Sequence, residues 1–80
     1  MDVWTVYILN CNDEVVYTGC TDDFDDRIKR HKNGQVRFTR SRLPVAVAVT
    51  ITFFDKYKAF AFEKYLKSGS GRAFAKRHFF

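Results

Sequence analysis

Five side chains in this sequence are of types that carry phosphodiester chemistry, and they follow one another in the order Tyr7, Tyr17, Arg27, His31 and Glu63. A tyrosine or a histidine can accept a proton, and an arginine can stabilise charge that develops on a phosphate. A lone carboxylate in a basic segment supplies the hard oxygen that a divalent cation prefers. Together these groups meet the needs of metal-assisted phosphodiester hydrolysis, provided that the fold brings them together.

The two tyrosines fall on a predicted β-hairpin. Val3 to Leu9 and Glu14 to Thr18 are rich in β-branched and aromatic residues, and the Asn-Cys-Asn-Asp segment between them has turn chemistry. If the loop has an odd number of residues, such as three, Tyr7 lies directly across from Tyr17. Both rings then point to one face of the sheet.

Arg27 and His31 fall on a predicted helix over residues 23–32, which acidic N-cap candidates precede and an Asn-Gly pair ends. At 100° per residue, Phe24, Ile28 and His31 share one apolar stripe, and Arg27 sits at its edge. Both polar groups are therefore expected close to the core and away from the solvent face of the helix.

The rest of the chain predicts one more strand and two more helices. Val45 to Phe54 alternates large apolar residues with small ones, which is typical of a strand that helices can cover on both sides. Asp55 can cap a helix that runs to about Leu66, residues 68–71 interrupt it, and Arg72 to Phe79 can form a short third helix. We therefore predict one α+β domain over residues 1–80, with a three-stranded, mainly antiparallel sheet flanked by helices.

Charge is distributed unevenly along the chain. Residues 1–26 contain seven acidic and no basic residues, whereas residues 27–80 contain fourteen basic and two acidic ones, a difference of +12. A segment so basic favours a polyanionic partner, because each Lys or Arg that neutralises a phosphate releases condensed counterions. Arg37, Arg40 and Arg42 lie in an irregular stretch with no acidic residue, which indicates a phosphate-contacting loop.

Composition excludes several other classes of protein. Eighty residues that are 46% hydrophobic and 18% aromatic fit one small folded domain, not a disordered chain. No apolar run approaches the ~20 residues that span a bilayer, and no signal-peptide pattern precedes Trp4, so an intracellular protein without a membrane partner is expected. Cys11 and Cys20 match neither a disulfide scaffold nor a zinc site and are interpreted as free thiols.

The order and spacing of the candidate residues resemble the GIY-YIG nuclease superfamily. Thr5-Val6-Tyr7 is followed ten residues later by Tyr17-Thr18-Gly19, and Arg27 lies ten residues beyond Tyr17. His31 and a late Glu63 complete the set. The resemblance extends from about Trp4 to Lys76 and is greatest to the short single-domain members, which carry a run similar to residues 63–69.

The resemblance implies a role for each matching residue. Tyr7 and Tyr17 line the active site, and one of them helps to activate the attacking water. Arg27 holds the scissile phosphate, and His31 exchanges a hydrogen bond with a tyrosine hydroxyl. Glu63 binds the metal ion.

The resemblance also implies a ligand set and a substrate. The glycine at position 19 lets backbone and substrate approach closely. The implied cofactor is Mg2+, with Mn2+ as an alternative, and the implied partner is DNA. A domain of this kind without an added DNA-reading element is expected to have low sequence specificity, or to select DNA by structure.

Some positions depart from the family pattern. Thr5 replaces the first glycine, and Cys20 stands where many members carry a lysine that contacts phosphate. Many members also place an asparagine after the metal-binding glutamate, whereas this region offers Ser68, Ser70, Arg72 and Lys76.

Two other functions stay open from the sequence. The first is a nucleic-acid-binding module without turnover, or a subunit of a larger repair complex, that uses residues 37–42 and the basic C-terminal end. The second is a subunit that docks on a partner protein, which the aromatic tail of residues 78–80 suggests. If the tail does not bind a partner, we expect a monomer or a weak dimer.

Each candidate residue also has a purely structural interpretation. The tyrosines could be packed sheet aromatics, and His31 a hydrogen-bonded core histidine. Arg27 could pair with a neighbouring aspartate, and Glu63 could pair with Lys67 one turn later.

Overall fold

The fold is α+β, as predicted. A computed structural model describes residues 3–80 of the chain, and in this range it contains three strands and three helices. These are β1 (Trp4–Asn10), β2 (Val16–Thr21), α1 (Phe24–Lys32), β3 (Ala46–Phe53), α2 (Lys56–Leu66) and α3 (Gly69–His78). In the described residues no helix has the length and apolar character needed to cross a membrane.

The sheet has the order β2-β1-β3, with both pairings antiparallel. The predicted direct pairing of the two tyrosines is wrong, because Tyr7 lies across from Gly19 and Tyr17 across from Leu9. The loop spans residues 11–15, and its turn is closed by the Cys11 amide donating to the Val15 carbonyl at 2.9 Å, with Glu14 at a φ of 67°. The two-residue offset keeps both rings on one face, as predicted. It also moves the second strand, expected over 14–18, toward the C-terminus.

Two apolar clusters cover the two faces of the sheet, which follows from the alternation of side chains along β1. On the side of α2 and α3 the buried residues are Val6, Ile8, Ala59, Leu66 and Ala75. On the side of α1 they are Tyr7, Leu9, Cys11 and Val45, with Tyr17, Phe24, Ile28 and Leu43 packed around them. The tyrosines therefore lie in the layer between the sheet and α1.

The helices α1 and α2 begin at the aspartates that the sequence predicts as N-caps. The Asp23 carboxylate accepts from the Asp26 amide at 3.1 Å, and the Asp55 carboxylate accepts from the Tyr57 amide at 2.8 Å. The break, predicted over residues 68–71, consists of Lys67 and Ser68, and α3 already begins at Gly69 because Ser68 caps it by accepting from the Gly71 amide at 3.1 Å. A side chain at Gly71 would overlap the Tyr65 carbonyl, so this glycine is required for close packing of α2 against α3.

The aromatic tail of residues 78–80 is partly packed against the domain, and docking of a partner on it stays a prediction. Phe79 is half-buried and packs against the core on the α2 and α3 side, and the His78 ring lies 4.7 Å from the Phe74 ring. His78 and Phe80 are exposed. Cys11 and Cys20 are both free thiols, as predicted.

Candidate active site

A buried hydrogen bond joins β1 to α1 at the centre of the site. The Tyr7 hydroxyl lies 3.0 Å from His31 Nε2, and both side chains are inaccessible to solvent. Tyr7 points toward α1 because it alternates with Val6 and Ile8, which face α2. His31 faces the sheet because it shares the apolar stripe of α1 with Phe24 and Ile28.

His31 has a second buried partner that the sequence did not indicate. Its Nδ1 atom lies 2.8 Å from the Thr39 hydroxyl, and Thr39 is fully buried. Thr39 belongs to the arginine-rich segment between α1 and β3. The sequence indicated a role for the arginines of this segment but not for Thr39. A hydroxyl can donate or accept, so it can satisfy His31 in either protonation state.

The surroundings keep this pair electrically neutral. Burial, and then the positive charge of Arg27, lowers the pKa of His31 below its usual 6.5. Burial, and then the Tyr17 hydroxyl, raises the pKa of Tyr7 well above its usual value, against the opposing effect of Arg27. At neutral pH a neutral imidazole therefore faces a protonated phenol, and Tyr7 can give its proton to His31 only if another group supplies a proton to Tyr7 in the same step.

Arg27 supplies a cation that no acidic side chain neutralises. Its nearest acidic neighbours on α1 have other partners, since Asp26 pairs with Arg30 at 2.8 Å and Asp23 caps the helix. Within residues 3–80 Arg27 forms no ion pair, yet its charge acts on both Tyr7 and His31. This leaves a half-buried guanidinium free to bind an anion.

Tyr17 connects the buried pair to the surface. Its ring centroid lies 4.9 Å from that of His31 and 6.2 Å from that of Tyr7. On its other side it contacts the Phe38 ring, with centroids 5.5 Å apart. Tyr17 and Phe38 both line a groove of about 460 Å³ along the outer edge of β2. The opposite wall of this groove carries the cations Lys67 and Arg72.

Gly19 has no side chain because the Tyr7 ring occupies that space. A Cβ atom on Gly19 would overlap the Tyr7 hydroxyl and the ring carbon that bears it. Gly19 is the residue directly opposite Tyr7 across the two strands. The missing side chain thus makes room for Tyr7, and the close approach of substrate that the resemblance implies at Gly19 stays a prediction.

The three loop arginines have different surroundings. Arg37 and Arg40 are exposed, and a phosphate contact by either of them stays a prediction. Arg42 Nε lies 3.0 Å from Asp13 Oδ2, close enough for an ion pair although not aligned for a hydrogen bond, and its guanidinium lies 4.4 Å from the Phe38 ring centroid. In the free protein Arg42 therefore holds Phe38 over Tyr17, and a phosphate contact by Arg42 stays a prediction.

Glu63 lies on α2, and its charge acts on Cys20 of the edge strand β2. Its carboxylate pairs with Lys67 Nζ at 3.2 Å, the structural alternative that the spacing allowed, and its side chain is 25% exposed. Its charge, together with burial, raises the pKa of the Cys20 thiol on β2. Within the described residues Glu63 makes no hydrogen bond or ion pair with the other four candidate residues.

The donor chemistry around Glu63 fits a magnesium ion held mostly by non-protein ligands. In residues 3–80 no three His, Cys, Asp or Glu side chains converge on a closed metal site. Mg2+ is commonly held by one or two carboxylates, with waters and substrate phosphates filling the remaining positions. The protonated Cys20 thiol does not compete as a ligand, because only the thiolate binds metal well. Lys67 would have to release Glu63 when a cation binds.

Comparison with known proteins agrees with this geometry. The family model of the GIY-YIG catalytic domain matches residues 3–77. A UPF0213 protein of Clostridium perfringens is 44% identical over 63 residues, which are 78% of this chain and 68% of that protein. A UPF0213 protein of Lactococcus lactis is 34% identical over 68 residues, which are 84% of this chain and 65% of that protein. The chain thus spans about two thirds of the length of these relatives.

A solved structure has the same fold. The solution NMR structure of a UPF0213 protein from Bacillus halodurans superposes with a TM-score of 0.61 at 38% sequence identity, covering 94% of this chain and 81% of that one. The family match over residues 3–77, the sequence relatives and the shared architecture agree, and the chain belongs to the GIY-YIG family of nuclease domains.

Proposed function

We propose that this chain is a DNA endonuclease that hydrolyses phosphodiester bonds with the help of one divalent metal ion, Mg2+ or Mn2+. The observation that carries the proposal is the buried hydrogen bond of 3.0 Å between the Tyr7 hydroxyl and His31 Nε2. The positive charge of Arg27 affects the pKa values of both Tyr7 and His31. A hydrogen bond that served only to stabilise the fold would not require an unpaired cation next to it.

The tyrosines and His31 form the path for the proton of the attacking water. Tyr7 is fully buried, so the half-buried Tyr17, which lines the groove, takes the proton from water. The Tyr17 ring lies next to the Tyr7 ring, with centroids 6.2 Å apart, and the Tyr7 hydroxyl in turn contacts His31 Nε2. Tyr17 passes its own proton to Tyr7, and Tyr7 passes its proton to His31, whose new charge the Thr39 hydroxyl stabilises by accepting from Nδ1.

Positive charge around the groove orients the phosphodiester. Arg27 binds the scissile phosphate and stabilises the charge that develops on its oxygens. Lys67 and Arg72 on the far wall, and the exposed Arg37 and Arg40, bind the flanking phosphates. Each such contact adds to binding that weakens as salt rises.

Glu63 would hold the metal ion at the edge of β2. When bound, a divalent cation of this kind polarises the phosphate and stabilises the leaving oxygen. Lys67 lies one turn from Glu63 and neutralises it in the absence of metal. Arg72 lines the groove beside Lys67, while the role of the family asparagine stays unassigned.

Substrate selection is expected to be weak at the level of sequence. The described residues contain no element beyond the domain itself that could enter a DNA groove and contact base edges. We propose that the enzyme selects DNA by structure, or that a partner protein supplies the selection.

The test is cleavage of labelled single-stranded, duplex and branched DNA with Mg2+, Mn2+ or EDTA. Wild type is compared with Glu63→Gln, and Asp25→Asn serves as a control that removes one charge from an exposed helical acid. We expect metal-dependent cleavage by wild type and Asp25→Asn, and a loss of at least a hundredfold in Glu63→Gln. Cleavage by Glu63→Gln at the wild-type rate would show that Glu63 does not hold the metal.

A binding module without turnover is the second candidate, and one observation favours it. Glu63 is paired with Lys67 and, within the described residues, has no hydrogen bond or ion pair with either tyrosine. If neither wild type nor Glu63→Gln cleaves any substrate, while both bind DNA with a steep salt dependence, this function replaces the first.

A further inference from the structure

The strand β3 forms an open edge of the sheet. In the order β2-β1-β3 it pairs with β1 on one side, and within residues 3–80 no strand pairs with its other side. An open edge presents a row of unpaired backbone N–H and C=O groups to which another strand can add. The other edge of the sheet, β2, borders the candidate active site.

This edge lacks the usual protection against strand addition. Residues 43–54 form a run of twelve without a charged side chain, the longest such run in a chain that is 29% charged. Edge strands are commonly protected by lysines, internal prolines or short length, and β3 is eight residues long with neither Lys nor Pro. The pairing of β3 with β1 has one register shift, opposite Ile8 and Leu9. Val49 to Phe53 therefore pair with β1 in an unbroken register.

Large apolar side chains lie exposed at both ends of this edge. Val47 is 42% exposed near the start of β3, Phe54 is 74% exposed just after its end, and Tyr57 is 70% exposed on the first turn of α2. An antiparallel pairing of two β3 strands centred on Thr50 brings Phe54 of one copy next to Ala46 and Val47 of the other. The exposed aromatic residue at one end of the strand thus meets small and apolar residues at the other end.

Charge makes this edge the favourable place for two copies to meet. The chain carries a net charge of +5, and residues 27–80 carry fourteen of its basic residues, so most approaches of two copies are repulsive. The first cation before the neutral run, Arg42, is paired with Asp13, and the first one after it, Lys56, would face the uncharged residues 43–46 of the other copy.

From these observations we propose that a second copy of this chain pairs with the outer edge of β3, so that two three-stranded sheets form one six-stranded antiparallel sheet. The pairing is symmetric, since a two-fold axis through Thr50 exchanges the copies. Both β2 edges then lie at the outer ends of the sheet, with their grooves open and facing away from each other. This inference concerns a different face from the proposed active site and does not depend on the nuclease activity.

The test is sedimentation velocity of the full chain over a range from ~1 μM to ~1 mM, a span suited to weak dimers. Wild type is compared with Thr50→Lys, which places two like charges across the two-fold axis, where they repel. Gln35→Lys adds the same charge at an exposed loop position and is the matched control. We expect wild type and Gln35→Lys to dimerise reversibly, and the dissociation constant of Thr50→Lys to be at least tenfold higher.

Amide hydrogen exchange of wild type at the two ends of this concentration range gives a second measurement that needs no variant. We expect slower exchange within residues 47–53 at high concentration and no change in β2. A wild type that stays monomeric throughout, or a dimer that Thr50→Lys and Gln35→Lys affect equally, would overturn the proposal.

Discussion

The Tyr7 hydroxyl lies 3.0 Å from His31 Nε2, and solvent reaches neither side chain. The two residues are 24 positions apart, on a central strand and on the helix that covers it. A hydrogen bond in such a place is protected from competition by water and has a defined geometry. It therefore couples the protonation of a phenol on the sheet to that of an imidazole on α1.

Removal of either tyrosine hydroxyl is expected to slow DNA cleavage strongly. Tyr7→Phe breaks the contact with His31, and Tyr17→Phe removes the hydroxyl that reaches the groove, while both rings keep their packing. Because general acid–base groups contribute ~10²–10⁴-fold, single-turnover cleavage rates should fall within that range for both variants. Tyr57→Phe removes the hydroxyl of a mostly exposed tyrosine and should cleave like wild type. A Tyr17→Phe enzyme with full activity would exclude Tyr17 from the proton path.

Stability should decrease in mildly acidic solution because of His31. Above pH 6.5 the imidazole is neutral in both the folded and the unfolded chain. The folded pKa is lowered, so as the pH falls below 6.5 the unfolded chain binds a proton that the folded chain does not bind. The free energy of unfolding therefore falls as the pH moves from about 7 to 5, which urea denaturation can measure.

The matched variants for this measurement are His31→Gln and His78→Gln. His31→Gln removes the buried titrating group, so its stability should depend less on pH than that of wild type. His78 is exposed, and His78→Gln should keep the wild-type dependence. An equal pH dependence in His31→Gln and wild type would locate the effect elsewhere.

Local patterns in the sequence predicted most of the fold and part of the site. Alternation placed Tyr7 and Tyr17 on one face, and the helical period placed Arg27 and His31 toward the sheet. These inferences succeeded because strand and helix periods depend only on neighbouring residues. The register failed because the turn spans five residues, with Glu14 in a left-handed conformation that the sequence does not signal.

Contacts through irregular segments could not be predicted. Thr39 reaches His31, and Arg42 reaches Asp13 across 29 positions, only because of the path of the chain between α1 and β3. No periodicity constrains that path. The position of Glu63 relative to the tyrosines could not be predicted either, because it depends on how α2 packs beside the edge of β2.

Thr39 is expected to act as a positioning residue for His31. Thr39→Val leaves the buried Nδ1 atom without a partner and should cost about 1–3 kcal/mol of unfolding free energy, while Thr39→Ser keeps the hydroxyl and most of the stability. A purely structural role would change stability alone. We expect in addition that Thr39→Val shifts the acid limb of the pH profile of cleavage to lower pH, because the imidazolium loses an acceptor.

The control for Thr39→Val is the same change at Thr52, an exposed residue of β3. Thr52→Val should affect neither stability nor the pH profile. If Thr39→Val lowers stability but leaves the profile unchanged, Thr39 supports the loop and does not tune His31.

Gly19 is expected to tolerate no side chain, for a reason that links stability to activity. A methyl group at this position overlaps the Tyr7 hydroxyl and ring, and both the backbone of β2 and the buried Tyr7 resist displacement. Gly19→Ala should therefore lower the free energy of unfolding by about 1–3 kcal/mol, the usual cost of overpacking. It should also slow cleavage, because the ring can make room only by moving away from His31.

Gly69→Ala is the matched control, since nothing lies within 4 Å of a Cβ atom at that position on the first turn of α3. There alanine should leave stability unchanged or raise it by up to ~1 kcal/mol, because it restricts the unfolded chain. Urea denaturation and single-turnover cleavage measure both effects. A Gly19→Ala protein as stable and as active as Gly69→Ala would mean that Tyr7 can move freely, contrary to a site in which its hydroxyl is held against His31.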